Sequence, residues 1–140
     1  MTTGDTFPYD PAWSSEQARS VWVQPLPSHT VVACDDSRIL GTAHMGRNRP
    51  GAGAHVATAS FMVARDARGQ GVGRTLSEYA LSWSREQGFA AIQFNAVVES
   101  NEVAVRLYQA LGFNVIGTVP QAFKHPTLGL VGLHVMHRFL

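Results

Sequence analysis

Residues 55–75 read HVATASFMVARDARGQGVGRT, and this stretch decides the fold. It begins with a run of β-forming residues, His55–Val63, and continues into a glycine-rich turn, Arg68–Thr75. Apolar residues then recur every three or four positions, which predicts a helix over Gly73–Gln87 that Gly88 ends. A nearly unbroken apolar run, Ala90–Val98, follows and is typical of a buried strand. A strand, a helix and a strand in this order predict a parallel pair joined by a right-handed crossover.

The rest of the chain contains elements of the same two kinds. Their order is helix-β-β-β-α-β-α-β-β, which predicts an α/β or α+β layer fold with a mixed sheet. We expect the last two strands to be joined by a loop carrying Pro120, His125, Pro126 and Gly129. The remaining predicted elements are a short helix from a Ser14 or Ser15 cap through Trp22, strands His29–Cys34 and Ile39–Met45 around a turn at Asp35–Arg38, a turn at Asn48–Gly53, a helix from a Ser100 or Asn101 cap with Val103, Ala104, Leu107 and Leu111 on one apolar stripe, and strands Phe113–Val119 and Leu130–Met136.

Composition excludes several classes of protein. The chain has 140 residues, 45% of them hydrophobic and 15% charged, and this charged share is well below the roughly 25% of an average globular protein. A net charge of +1 provides no basic field for nucleic acid, and no apolar run approaches the ~20 residues of a membrane span. The N-terminus lacks the pattern of a signal peptide, and the single cysteine, Cys34, fits a reducing compartment. We therefore expect a cytoplasmic domain that uses no metal and binds neither nucleic acid nor membrane.

The glycine-rich turn Arg68–Thr75 is the first candidate binding site. The first turn of a helix has unpaired N–H groups and partial positive charge, so it suits a phosphate, and glycine lets the phosphate approach the backbone. Arg68 and Arg74 would add charged donors. A Walker motif needs a lysine at its end, but the one lysine is Lys124, and the glycine spacing fails the Rossmann fingerprint. Considered alone, the turn equally fits a simple helix cap.

A second segment identifies the ligand class through a resemblance. Asn101-x-x-Ala104-x-x-Leu107-Tyr108-x-x-Leu111-Gly112-Phe113 follows the next strand. Together with Arg68-x-x-Gly71-x-Gly73, in this order and spacing, it resembles the GCN5-related N-acetyltransferase (GNAT) family. The resemblance covers residues 29–140 and implies a single acetyltransferase domain over 1–140, with a partial helical region at 1–28 and the core at 29–140.

The resemblance implies a role for each motif residue. The family binds acetyl-CoA, with the pyrophosphate on the backbone amides of the turn and the pantetheine arm beside the strand that ends in Met62 and Val63. A backbone N–H near Phe61 or Met62 would polarise the acetyl carbonyl. The amine attacks directly, Tyr108 protonates the thiolate, and Asn101 caps its helix, contacts the pantetheine arm, or does both. The implied cofactor-binding set is Met62, Val63, Arg68, Gly69, Gln70, Gly71, Val72, Gly73, Arg74, Thr75, Asn101 and Tyr108.

The group that removes the proton from the amine is less clearly marked. Glu99 is the first candidate for this catalytic role, although it equally fits a solvated residue in a capping turn. His55, His44 and a water relay are the alternatives. His134 and His137 do not form a metal pair, because residues three apart on a strand point to opposite faces. His125 is expected near the acceptor pocket, and the aromatic residues that line this pocket or pack in the core are Phe7, Tyr9, Trp13, Trp22 and Phe123, with Trp22 and Phe123 assigned to the core.

Two details bear on the acceptor and on assembly. The runs at His55, Phe94 and Glu99 are similar to a subgroup that includes the yeast acetyltransferase acting on azetidine-2-carboxylate. Members of that subgroup tend to carry Asn at the position of Thr58, so their substrate is not carried over. Set against the family, the chain is also expected to lack a first strand and helix. The three explanations are a misassigned start or a shortened sequence, a natural short form, and compensation by a partner chain. The strand His29–Cys34 would then be an exposed edge, which a homodimer would cover.

The sequence therefore predicts an acetyl-CoA-dependent N-acetyltransferase acting on a small amine, such as an amino acid. A non-catalytic acyl-CoA-binding module is the alternative, and binding of another phosphate ligand is a third possibility.

Overall fold

The computed structural model describes residues 10, 12–24 and 27–140. In this part of the chain, three α-helices accompany a six-stranded mixed sheet of order β1-β2-β3-β4-β6-β5. Strands β3 and β4 are parallel, while the β1–β2, β2–β3 and β5–β6 pairs are antiparallel. The elements are α1 (Ser15–Trp22), β1 (His29–Cys34), β2 (Ile39–Arg47), β3 (Val56–Val63), α2 (Val72–Glu86), β4 (Ala91–Val98), α3 (Glu102–Ala110), β5 (Asn114–His125) and β6 (Gly129–Phe139), with short 3₁₀ turns at Gly51–Gly53 and Arg65–Ala67.

Most predicted elements are confirmed, including the local signals that start them. The side chain of Ser14 accepts the Gln17 N–H while the Gln17 side chain accepts the Ser14 N–H, which is a capping box at the start of α1. The Asp35 carboxylate accepts the N–H groups of Ser37 at 2.9 Å and Arg38 at 3.0 Å and so closes the β1–β2 turn. These hydrogen bonds lower the pKa of Asp35.

Two predictions about local structure are wrong. The segment with Pro120 and His125 is not a loop, because both residues belong to β5, which pairs with β6 as far as His125↔Gly129. Proline is tolerated there because β5 is an edge strand and the register shifts between Val119 and Phe123. Val103 does not belong to an apolar stripe of α3, because it is 79% exposed.

Backbone contacts divide the chain into two compact units. The N-terminal unit contains residues 13–92 with 139–140. Its α2 packs on β2 and β3, and the core of this unit includes small residues of the strands, such as Ala43 and Ala59, as well as Leu76 and Ala80 of the helix. Because α2 lies directly on this part of the sheet, its first turn is held beside the end of β3.

The C-terminal unit contains residues 93–138 with the described residues 10 and 12. Its core includes Phe94 and Phe113, whose rings stack at 4.3 Å, together with Val98 and Met136. Phe123 is also buried, as predicted. The described residues contain no helix long and apolar enough to cross a membrane.

Candidate functional site

The turn between β3 and α2 presents backbone N–H groups at a helix start. Gly69 and Gly71 have φ angles of +78° and +80°, a backbone conformation that residues other than glycine rarely adopt. Gly71 is the N-cap of α2, no side chain caps this end, and its first turn carries no acidic residue. The first amides of α2 are therefore left for an external acceptor, and an anion fits them.

The side chains of the turn are committed to different degrees. Thr75 donates its hydroxyl to the Gly71 carbonyl at 3.1 Å, and Gln70 donates its amide to the Asp66 carbonyl at 3.2 Å. Arg74 pairs with Glu78 at 2.9 Å on the exposed side of α2, and Val72 is buried in the core. Three of the predicted pyrophosphate-binding residues, Thr75, Gln70 and Val72, would therefore bind the ligand through the backbone, because their side chains are hydrogen-bonded or buried.

Two features that hold this turn in place were not visible in the sequence. A Cβ on Gly41 of β2 would lie 2.9 Å from the Met62 carbonyl oxygen and 3.0 Å from Val72 Cγ1. The missing side chain therefore lets the first turn of α2 approach β2 closely. Arg38 forms an ion pair with Asp66, which connects the β1–β2 turn to the segment just before the glycines. The Asp66 contact raises the pKa of Arg38.

Met62 and Val63 lie at the end of β3, as predicted. Their register partners on β2 are Thr42 and Gly41. Both residues are half-buried, and Ala64 continues the pairing by donating its N–H to the Leu40 carbonyl at 2.8 Å. Pairing with β2 therefore holds the end of β3, which is the stretch that the resemblance assigns to the pantetheine arm.

Tyr108 lies on α3 in the C-terminal unit, half-buried against aromatic rings. Its ring centroid is 4.7 Å from that of Phe94 and 6.0 Å from that of Phe113. Burial raises the pKa of the Tyr108 phenol above its ordinary value. The phenol therefore keeps its proton at neutral pH, which is the state that a proton donor requires.

Asn101 has a structural role at the start of α3. Its side-chain oxygen accepts the N–H of Ala104 at 3.4 Å, so Asn101 is the N-cap, in agreement with one of the two predicted roles.

Glu99 follows β4 and is exposed, but one of its oxygens is engaged. Its Oε1 atom accepts the Gly132 N–H at 2.6 Å, and its own N–H donates to the Gly132 carbonyl at 3.0 Å. The carboxylate therefore binds the β6 backbone, a contact that the sequence did not predict.

The histidines differ in surroundings. His44 is half-buried on β2, where its Nδ1 lies 3.0 Å from the Thr30 hydroxyl. Burial lowers the pKa of His44, and a hydrogen bond to the Trp22 backbone opposes this shift. His55 is exposed just before β3, His125 accepts the Leu128 N–H at 3.1 Å at the β5–β6 turn, and His134 lies 2.6 Å from the Thr118 hydroxyl.

The predicted aromatic residues are placed unequally. Trp22 is half-buried rather than in the core, because its indole N–H donates to the Thr42 hydroxyl at 3.0 Å and its ring tilts against His44. Trp13 is half-buried. Phe7 and Tyr9 lie outside the described residues. Within residues 10, 12–24 and 27–140, no cluster of His, Cys, Asp and Glu suits a metal ion.

Comparison with known proteins agrees with this geometry. The model of the Acetyltransferase (GNAT) family matches residues 2–113, so the chain belongs to this family. A GCN5-related N-acetyltransferase from Kribbella flavida is 62% identical, with a TM-score of 0.94 over 99% of this chain and 84% of that chain. A phosphinothricin acetyltransferase from Sinorhizobium meliloti, crystallised with acetyl-CoA, is 23% identical with a TM-score of 0.70 over 79% of this chain and 60% of that chain, which shows a shared fold.

Curated relatives are more distant. N-acetyltransferase aca1 from Schizosaccharomyces pombe is 27% identical over 134 residues, which cover 85% of this chain and 64% of that protein. Another curated relative, from Saccharomyces cerevisiae, is matched over only 14% of its length. The chain thus spans less than two thirds of either protein.

Proposed function

We propose that this chain transfers an acetyl group from acetyl-CoA to the amine of a small molecule. The observation that carries the proposal is the uncapped start of α2, where two glycines in the left-handed conformation precede amides with no acidic neighbour. Family membership supplies the ligand class, since a pyrophosphate is the part of acetyl-CoA that such a helix start binds.

In this proposal, the turn from Arg68 to Thr75 binds the pyrophosphate and the end of β3 binds the pantetheine arm. The backbone amides carry most of the contact, and Arg68 and Arg74 add charge. Met62 and Val63 offer main-chain groups in the manner of an added strand. Asn101 contributes at the start of α3 in addition to capping it.

Tyr108 is assigned as the acid that protonates the departing thiolate. Its support is the match to the family's motif, the protonated state of a phenol at neutral pH, and its packing beside the rings of Phe94 and Phe113. Glu99, His44, His55 and a water relay are the candidates for removing the proton from the acceptor amine, and the position of Glu99 is set by the Gly132 N–H.

We infer that the acceptor is an amino acid or a similar small amine. A net charge of +1 offers little attraction for an acidic macromolecule. Because the substrate of the azetidine-2-carboxylate subgroup is not carried over, cyclic amino acids enter the substrate screen as test compounds and not as the expected acceptor.

We also propose that the chain acts in the cytoplasm as a homodimer in which copies pair through β1. The support is the position of β1 at the end of the sheet order and the low share of charged residues.

The activity is tested by release of free CoA thiol from acetyl-CoA in the presence of single amines. The panel contains the common amino acids, azetidine-2-carboxylate, short peptides and polyamines. We expect transfer to at least one amine, and a fall in kcat of ~10²-fold or more for Tyr108→Phe. Calorimetric CoA binding without transfer to any amine would indicate a non-catalytic module, and absence of CoA binding would indicate another phosphate ligand.

A further inference from the structure

A chain of hydrogen bonds in the N-terminal unit fixes the tautomer of His44. The Thr30 hydroxyl donates to the Trp22 carbonyl at 2.7 Å and lies 3.0 Å from His44 Nδ1. A hydroxyl has one hydrogen to donate, and here the Trp22 carbonyl receives it. The hydrogen between Thr30 and His44 must therefore belong to Nδ1. In the neutral ring, this assignment leaves Nε2 with a lone pair and no proton.

The position of His44 on β2 places it on a defined face of the sheet. Gly41, Ala43 and Met45 point toward α2, as the close approach of Gly41 to Val72 and the burial of the other two show. Because side chains alternate along a strand, Thr42 and His44 lie on the opposite face, where both contact Trp22 of α1.

The same face includes part of β3. The register pairs His44 with Ser60 and Thr42 with Met62. Directly opposite residues of an antiparallel pair share a face, so His44 lies beside the stretch of β3 that ends at Met62. The proposed function gives the end of this stretch to the pantetheine arm of acetyl-CoA, and the resemblance to the family gives an N–H near Phe61 or Met62 to the acetyl carbonyl.

The surroundings keep the imidazole uncharged at neutral pH. Burial lowers the pKa of His44, and the Trp22 carbonyl only partly opposes this shift. The side chains that face His44 from the neighbouring elements, Thr30, Ser60 and Trp22, carry no charge. The charged residues of α1, Glu16 and Arg19, are exposed.

We propose that Nε2 of His44 accepts the proton of the acceptor ammonium, an inference that rests on the proposed acetyl transfer. The free amine then attacks the thioester carbonyl, so that the C–N bond forms and the C–S bond breaks with its electron pair on sulfur. The nitrogen loses two protons in all. One passes to His44 and on to solvent, and the other accounts for the S–H bond of the CoA that is released.

The other candidates have surroundings less suited to this task. Glu99 uses one carboxylate oxygen to bind the Gly132 N–H. His55 is exposed and precedes β3, so its ring is more open to solvent than that of His44. His44 alone among these three combines partial burial, a fixed ring and a defined lone pair.

The test uses His44→Asn, because an asparagine amide reproduces the Nδ1 donor and lacks Nε2. We expect kcat for the best amine of the panel to fall ~10²-fold or more, with acetyl-CoA affinity and Tm unchanged. The acidic limb of the pH–kcat/KM profile should disappear together with the rate. Thr30→Val, which removes the orienting hydroxyl and keeps the imidazole, should lower kcat less and keep the limb. His44→Gly should regain activity with added imidazole.

Each outcome has one reading. An active wild type with a His44→Asn variant that keeps its kcat and its acidic limb would show that His44 only holds α1 to the sheet. Loss of the limb in Glu99→Gln, with the limb kept in His44→Asn, would assign the proton to Glu99. Absence of transfer by the wild type to any amine would instead remove the proposed function, and this role with it.

Discussion

Gly132 has no side chain, and this lets the side chains of Glu99 and Thr118 approach the β6 backbone closely. A Cβ at this position would lie 2.6 Å from Thr118 Cγ2 and 2.9 Å from Glu99 Oε2, while the Gly132 N–H donates to Glu99 Oε1 at 2.6 Å. The carboxylate of Glu99 and the methyl group of Thr118 thus both pack against a residue outside the recognised motifs.

Gly132→Ala should therefore destabilise the chain by about 1–3 kcal/mol, the usual cost of forcing a methyl group into packed atoms. Chemical denaturation measures this change. Gly117→Ala in the same hairpin is the matched control, because nothing lies within 4 Å of its Cβ, and it should be nearly neutral. Equal stability of the two variants would mean that Thr118 and Glu99 move aside at no cost.

Individual residues were predictable where a short motif fixes them. Asn101, Gly71 and Tyr108 stand at set positions in the two segments, and the structure places each at the predicted element. Gly41 and the Thr30–His44 contact were not predictable. Each depends on which residues of different strands lie side by side, and a single sequence does not specify that register.

At the scale of an element, the start of α2 shows how a glycine in the sequence shapes a predicted anion-binding site. Gly71 has φ +80° and space around it, so its conformation, not crowding, requires glycine. Gly88, just after α2, has the same φ of +80° and the same open surroundings. The two positions differ in which end of the helix they occupy, and only the N-terminal end attracts an anion.

Gly71→Asp should abolish CoA binding, because it adds a negative charge where the pyrophosphate would lie. Gly88→Asp carries the same backbone strain and should lower stability similarly while it keeps CoA affinity. Calorimetric titration of CoA, with Tm measured for both variants, separates the two effects. Equal CoA affinity in Gly71→Asp and wild type would contradict phosphate binding at this turn.

Elements with strong periodicity were predicted well, and those near breakers were not. The helix α2 and the strand β4 begin and end within one residue of their predicted bounds. Strand β5 runs six residues further than predicted, to His125, because Pro120 was read as the start of a loop. The bulge that accommodates this proline includes Gln121 at φ +52°, a local solution that residue preferences do not indicate.

At the scale of the whole molecule, the sheet has two different edges, β1 and β5. Both carry exposed apolar side chains, and Val32 on β1 and Val119 on β5 are each 52% exposed. An exposed apolar edge strand invites pairing with another chain, and a lysine on such an edge opposes it. The proposed homodimer uses β1, so the two edges should respond differently to the same substitution.

Val32→Lys should convert a dimer into a monomer, whereas Val119→Lys, with equal side-chain exposure, should leave the dimer intact. Light scattering coupled to gel filtration measures the mass, and CoA titration verifies that both variants remain folded. A monomeric wild type would contradict the dimer outright. Dissociation by Val119→Lys alone would assign the interface to β5. This strand forms a hairpin with β6, which positions Glu99 through Gly132. The edge that pairs therefore also decides whether a second copy lies beside β1 or beside the hairpin that contacts Glu99.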